Sequence, residues 1–215
     1  MPLFRLDASI RVEGSHSREI ADLVEKPWRD AHPDDTVIKR QVGLAPLPST
    51  AWANAVAGSW TPADQRTPEQ AEAVALAATL ADELIAADAL LFALPLYNFG
   101  VSQHFKAWVD LIITDPRFAP GGEQVLAGKT AIVVLVRGGG YGPGTPRAGW
   151  DHGEGWIRRI LEDVWGLNVE VVELELTLAH QVEAMAELRP LADELRSKAE
   201  NYAAQHGHNL VGASA

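Results

Sequence analysis

The stretch Ala89-Leu90-Leu91-Phe92-Ala93-Leu94-Pro95-Leu96-Tyr97-Asn98-Phe99 decides the fold. Its first six residues are all apolar. A continuous apolar run of that length suits a strand covered on both faces, as in a parallel sheet between two layers of helices. Pro95 fixes φ and removes a backbone donor where the chain leaves that run. A second run, Thr130-Ala131-Ile132-Val133-Val134-Leu135-Val136, reads the same way and stops at Arg137-Gly138-Gly139-Gly140. Residues 169–176 alternate, with Glu170, Glu173 and Glu175 interspersed, and so belong nearer a sheet edge. Residues 3–8 and 36–40 complete a set of five strand candidates.

Helical patterns fill the gaps. Residues 17–31 place Ile20, Ala21, Leu23, Val24 and Trp28 on one side, with Pro27 predicting a kink or an early stop. Thr67-Pro68-Glu69-Gln70 is a helix start, with threonine as cap, proline first and an acid next. Residues 102–113, 155–165 and 181–205 fit further helices. Strands alternating with helices five times predict a doubly wound, five-stranded parallel sheet in a three-layer α/β/α sandwich. Residues 1–206 read as one domain and 207–215 as a mobile tail. Residues 43–67 form a long connection holding Trp52 and Trp60, either a lid or interface segment or a plain surface loop.

Composition narrows the function. The chain carries 18 Lys+Arg against 29 Asp+Glu, a net charge of −11, and has no dense basic cluster with which to grip nucleic acid. It has no cysteine, which excludes disulfides, thiolate metal sites, iron–sulfur ligation and a cysteine nucleophile. His104, His152 and His180 are scattered without ligand spacing, so no metal site is expected. No run is long enough to span a membrane, and residues 1–7 lack the pattern of a signal peptide. A cytoplasmic protein with no membrane partner is the expectation.

In an open α/β sheet, ligands sit beyond the carboxyl ends of the strands. Three loops at such ends carry chemistry. The first runs from Asp7 to Arg18, and Ser9, Ser15 and Ser17 lie before or at the start of a helix whose free N–H groups and dipole favour an anion. The loop is neither G-x-G-x-x-G nor a P-loop, so a single phosphate suits it better than a pyrophosphate. Ser15 or Ser17 would also serve as a plain helix cap. The second loop, Pro95-Leu96-Tyr97-Asn98-Phe99, mixes apolar faces with polar edges, as a flat aromatic cofactor requires. The third, Val136-Arg137-Gly138-Gly139-Gly140-Tyr141, lets backbone approach a ligand closely.

Together these loops resemble those of the FMN-dependent NADH-azoreductases, which also act as quinone reductases; the resemblance runs from Leu3 to about Leu178. It implies a flavodoxin-like fold, FMN as cofactor and NADH, or NADPH, as electron donor. It places Ser9, Ser15, His16 and Ser17 around the FMN phosphate. Leu96, Tyr97, Asn98 and Phe99 would line the isoalloxazine, and Gly138 and Gly139 its pyrimidine edge. It implies a homodimer, with Phe118 overhanging the partner's flavin; Trp60, Phe118 and Tyr141 are the residues expected around the substrate. Val136 stands where the family often has serine, which removes one hydroxyl. The expected activity is ping-pong two-electron reduction of quinones and azo compounds, with the chemistry carried mainly by FMN and Tyr141 orienting the substrate. The alternatives are a flavodoxin-type electron carrier and a flavin reductase of one aromatic biosynthetic intermediate on the same scaffold.

Overall fold

Six strands form in chain order: β1 (Leu3–Asp7), β2 (Val37–Arg40), β3 (Ala89–Tyr97), β4 (Gly100–Val101), β5 (Thr130–Val136) and β6 (Asn168–Leu174). The computed structural model describes residues 1–213. Five of the strands pair in parallel in the order β2-β1-β3-β5-β6, and β4 hangs off β3 as an antiparallel partner. The order reverses between β1 and β3, so the loops leaving these two strands diverge and open a crevice at the carboxyl edge of the sheet. That crevice positions the site.

Period-two alternation within each buried strand sends side chains to both layers. Phe4, Leu6, Leu90, Phe92, Ala131 and Val133 point one way, into a core shared with α3 (Pro68–Ala86) and α4 (Gln103–Ile112). Leu3, Leu91, Ala93, Ile132 and Val134 point the other way, onto α1 (His16–Ala31) and α6 (Arg189–Ala213). Helix α3 starts at the expected cap: Thr67 Oγ1 accepts from Gln70 N–H, and Gln70 Oε1 accepts from Thr67 N–H. Helix α5 (Glu154–Arg158) continues into a π-helix, Arg159–Val164.

Four expectations change. Helix α1 runs past Pro27 to Ala31 without the predicted stop. Tertiary packing holds it: α6 brings Gly207 so close that a Cβ there would lie 2.6 Å from Val24 O and 3.0 Å from the Pro27 ring. The predicted mobile tail is therefore helical from 207 to 213, with Leu210 buried in the core, while residues 214 and 215 lie outside the described residues. The long connection folds a helix of its own, α2 (Ala51–Ser59), whose Ala51, Ala55 and Gly58 are buried. A Cβ on Gly58 would meet Val74 of α3 at 2.9 Å, so α2 is packed and not a loose flap. Last, β3 continues through Pro95 to Tyr97. Its pairing with β1 ends at Ala93, so Pro95 lies beyond that ladder.

Candidate functional site

The loop after β1 delivers a helix start that nothing in the protein caps. Ser15 occupies the N-cap position, yet its hydroxyl accepts no helix N–H. Instead Ser15 Oγ lies 3.3 Å from Ser17 Oγ, and both serines are almost wholly buried. Among the described residues no acceptor meets the N–H groups of His16, Ser17 or Arg18. Plain capping, one of the two readings of these serines, is not what they do here. His16 Nε2 is buried without a partner, while its Nδ1 lies 3.2 Å from Arg196 Nη1. Three free backbone donors, two hydroxyls and an orphaned imidazole nitrogen at the positive end of a helix make an anion cradle.

Two devices hold the cradle's shape. Arg18 reaches back from the first turn of α1 and donates to the carbonyls of Ser9, at 2.5 Å, and Arg11. From β3, the Tyr97 hydroxyl accepts from Ile10 N–H at 3.2 Å and lies 3.4 Å from Ser9 Oγ. The two loops of the switch point are thus tied to each other. Between them lies a cavity of about 150 Å³, polar at Ser9, Ser15, His16 and Ser17 and apolar at Pro95, Leu96, Val136 and Leu178.

The β3 loop is a two-residue hairpin, with Leu96 opposite Val101 and Tyr97 opposite Gly100. Its central residues, Asn98 and Phe99, have φ of 48° and 69°. Tight hairpins of this kind require positive φ at both positions. Asparagine accepts it readily; phenylalanine does so at a cost of about 1 kcal/mol or more. The Phe99 ring is partly exposed and meets Trp150 and Tyr141 edge-on, at 5.5 and 6.4 Å between centroids. His152 N–H donates to the Phe99 carbonyl at 2.9 Å. Outside the hairpin a wider groove of about 680 Å³ shares Tyr97 with the crevice, and Asn98, His104, Lys106, His152 and Trp156 also line it.

The loop after β5 behaves differently from expectation. Arg137 is buried, and its guanidinium donates to Asp151 at 2.6 Å, Glu154 at 2.9 Å and Glu173 at 2.7 Å. With its donors committed there, the Arg137 side chain is scaffold and not a cofactor ligand. Burial alone would raise the Asp151 pKa, but the N–H groups of Glu154 and Gly153, together with Arg137, pull it below the ordinary carboxylate value. Burial raises Glu175 despite the N–H it accepts from Tyr141 at 3.0 Å. Neither Gly138 nor Gly139 has a positive φ. A Cβ at Gly138 would lie 2.7 Å from Leu178 Cδ1, whereas one at Gly139 would meet the flexible end of Arg147, Nη1, at 2.6 Å and displace it. Gly138 lines the crevice; Tyr141 instead lines the acidic cavity around Arg137.

Two proposed substrate contacts fall elsewhere. Phe118 is 2% exposed in a short turn, Pro116–Phe118, and packs edge-on against Trp165 at 5.3 Å. It completes the protomer's own core and has no face left to overhang a partner's flavin. Trp60 is 87% exposed at the end of α2 and lines neither the crevice nor the groove. Sequence reading missed Ile10, Arg11, Arg18, Thr177 and Leu178. Thr177 and Leu178 follow β6 at the same sheet edge, so the strand-end rule would have found them had it been applied to a fourth loop. Among the described residues no helix is long and apolar enough to cross a membrane.

Comparison with known proteins agrees with this geometry. A family model described as having a flavodoxin-like fold matches residues 1–203. A Frankia alni protein named FMN-dependent NADH:quinone oxidoreductase is 43% identical over 201 residues, covering 93% of this chain and 95% of its own. One of the same name from Frankia casuarinae is 42% identical over 205 residues, covering 94% and 95%. In three dimensions the chain is similar to an azoreductase from Bacillus anthracis, with a TM-score of 0.78 at 20% identity, covering 97% of this chain and 99% of that one. The order β2-β1-β3-β5-β6, the crevice at its switch point and relatives matched over almost their whole length assign the chain to the flavodoxin-like family that includes the FMN-dependent NADH:quinone oxidoreductases.

Proposed function

We propose that this protein is an FMN-dependent NADH:quinone oxidoreductase that works as a homodimer. The observation that carries the reading is the uncapped start of α1, where free N–H groups and the buried Ser15 and Ser17 hydroxyls await an anion. Ser9, Ser15, His16 and Ser17 hold the phosphate of FMN. Pro95, Leu96, Tyr97, Asn98 and Phe99, with Val136, Gly138 and Gly139, wall its ring system. When bound, FMN supplies the chemistry, taking two electrons as hydride from NADH or NADPH and passing them to an acceptor.

The protein's part is to bind, orient and enclose. The helix dipole and the donors of the cradle offset the phosphate charge. The strained Asn98-Phe99 turn presents backbone and an aromatic edge in one fixed direction. Tyr141, against Phe99, is the side chain best placed to orient an acceptor from the glycine-loop side. Azo compounds fall within the same two-electron chemistry. The exposed Ile10, Val12, Trp52, Trp60, Phe99 and Trp150 support a second copy, because aromatic residues are enriched where protein surfaces meet. The NADH donor argues for a cytoplasmic location.

The test is spectral. Purified protein, supplied with FMN if needed, carries a flavin absorption that NADH bleaches without oxygen and that a quinone restores. Failure to retain FMN at micromolar concentration, or no bleaching by NADH or NADPH, overturns the reading. Sedimentation that shows an active monomer at working concentration overturns the homodimer.

A further inference from the structure

We infer that Arg196, on the C-terminal helix α6, is a positioning residue for the phosphate of FMN: it fixes His16 in the state whose Nε2–H donates into the cradle. The inference rests on the FMN reading above and deepens it, from which groups line the cradle to what makes one of them a donor.

An imidazole nitrogen donates or accepts according to where the ring proton sits, and the partner of the other nitrogen decides that. His16 Nδ1 lies 3.2 Å from Arg196 Nη1. A guanidinium has donors only and keeps its charge in a protein. Nδ1 must therefore offer its lone pair, and the proton of the neutral ring goes to Nε2. Glu19 Oε2 stands 3.5 Å from the same Nδ1, too far for a good hydrogen bond. That carboxylate accepts from Arg196 Nη2 instead, at 3.0 Å. A second proton on the ring would sit on Nδ1, toward Glu19, and would leave Nε2–H as it is. The state that Arg196 excludes is the neutral ring with a bare Nε2, whose lone pair would repel a phosphate oxygen.

Nε2 is the end that meets the ligand. It is buried with no partner among the described residues, and His16 lines the crevice beside Ser9, Ser15 and Ser17. A buried donor left without an acceptor is costly, so this one marks a place for an anion.

Arg196 is itself held in place. Its Nε donates to Glu200, one turn along α6, at 2.8 Å, and its Nη2 to Glu19, which leaves Nη1 for His16. Burial alone would raise the Glu19 carboxyl, but the hydrogen bond from Arg196 and the nearby His16 hold it below the ordinary value. It stays an anion and keeps the guanidinium turned toward the imidazole. A cradle built from residues 9–17 is thus completed by a side chain 180 positions later than His16.

The experiment separates the phosphate from the ring system, and positioning from simple charge. Equilibrium titration gives the Kd of the apo-protein for FMN and for riboflavin, which lacks the phosphate. Arg196→Met raises the FMN Kd about tenfold, toward the lower end of what a hydrogen bond to a charged group contributes. It leaves the riboflavin Kd unchanged. In a His16→Ala background the same substitution moves neither Kd, because a residue acting through another is not additive with it. A second arm needs no flavin. In the 1H–15N spectrum of the apo-protein's imidazoles, the His16 signals, assigned by their loss in His16→Ala, show the proton on Nε2. Arg196→Met shifts population to the Nδ1–H form.

FMN and riboflavin affinities that fall together make Arg196 a packing residue and overturn the inference. An FMN loss that persists in the His16→Ala background assigns it to direct attraction between guanidinium and phosphate, and also overturns it. So does a wild-type His16 protonated only at Nδ1. If the wild type does not bind FMN, the FMN reading fails; the imidazole spectrum still decides whether Arg196 sets the donor.

Discussion

The loops after β1 and β5 end at the same edge of the sheet, and both are rich in polar groups, but they are built on opposite electrical plans. At the end of β1 the donors are left open: three backbone N–H groups and His16 Nε2 lack the partners such groups normally find, and the two buried serine hydroxyls meet only each other. At the end of β5 the guanidinium is enclosed: Arg137 meets Asp151, Glu154 and Glu173, with Glu175 at 3.7 Å. Buried polar groups are ordinarily hydrogen-bonded, so a cluster of open ones marks where a ligand belongs, and a saturated cluster marks scaffold. An arginine beside a glycine run looks like a ligand in sequence, and here it is a tie-rod.

The largest expected effect attacks the saturated side. Arg137→Met leaves four carboxylates facing one another and lowers folding stability by about 3 kcal/mol, because breaking a buried ion pair strands its partners. Urea denaturation of the apo-protein measures it. A loss below about 1 kcal/mol would mean that Glu173 and Glu154, the more exposed pair, simply turn to solvent.

The open side responds in the reverse sense. Ser17→Ala weakens FMN binding about 10- to 100-fold, the worth of one charge-assisted hydrogen bond, while apo stability moves by less than about 0.5 kcal/mol. Neither serine hydroxyl caps the helix, so no cap is lost. Equilibrium dialysis and denaturation together check it. A stability loss matching the affinity loss would put Ser17 on the scaffold side of the comparison.

A third expectation concerns the hairpin between the two loops. Phe99→Gly relieves a left-handed phenylalanine and raises apo stability by about 0.5–1 kcal/mol. It also removes the ring that meets Trp150 and Tyr141, and FMN affinity falls several-fold. Stability that falls with affinity would show that the aromatic contacts outweigh the strain.

The smallest effect is a pH dependence. Burial raises the Glu175 pKa, so the folded protein holds this proton at pH values where the unfolded chain has released it. Stability therefore falls as pH rises from the ordinary glutamate value through the raised one. Glu175→Gln keeps the acceptor for Tyr141 N–H and removes the titration. The variant is more stable than wild type at pH 7, and the difference disappears at pH values below the ordinary glutamate range, where Glu175 is protonated in both states. Equal stabilities at both pH values would show that Arg137 already compensates Glu175.

Much of this was legible in the chain itself. The runs 89–94 and 130–136 are apolar at every position or nearly so, and only a strand covered on both faces has use for that; the parallel sheet and its three layers follow. Alternation with acids in 169–176 put β6 at an edge, where it lies. The serines, the hairpin string and Gly138 were found because strand-end position is fixed by topology, and topology by the order of runs.

What the sequence could not decide depended on neighbours far away in the chain. Whether Pro27 stops a helix rests on Gly207, 180 residues later, whose missing Cβ lets α6 press against it. Whether Phe118 faces solvent or the core rests on Trp165. Whether Ser15 caps its helix or is left for a ligand is a matter of a hydroxyl's direction, settled by Ser17 and the buried wall around both. Local patterns fix which faces are apolar and where strands end, because those are properties of a few adjacent side chains. The disposition of donors, and so the distinction between a tie-rod arginine and a waiting cradle, is a property of which distant groups arrive to meet them, and only the packed chain contains that.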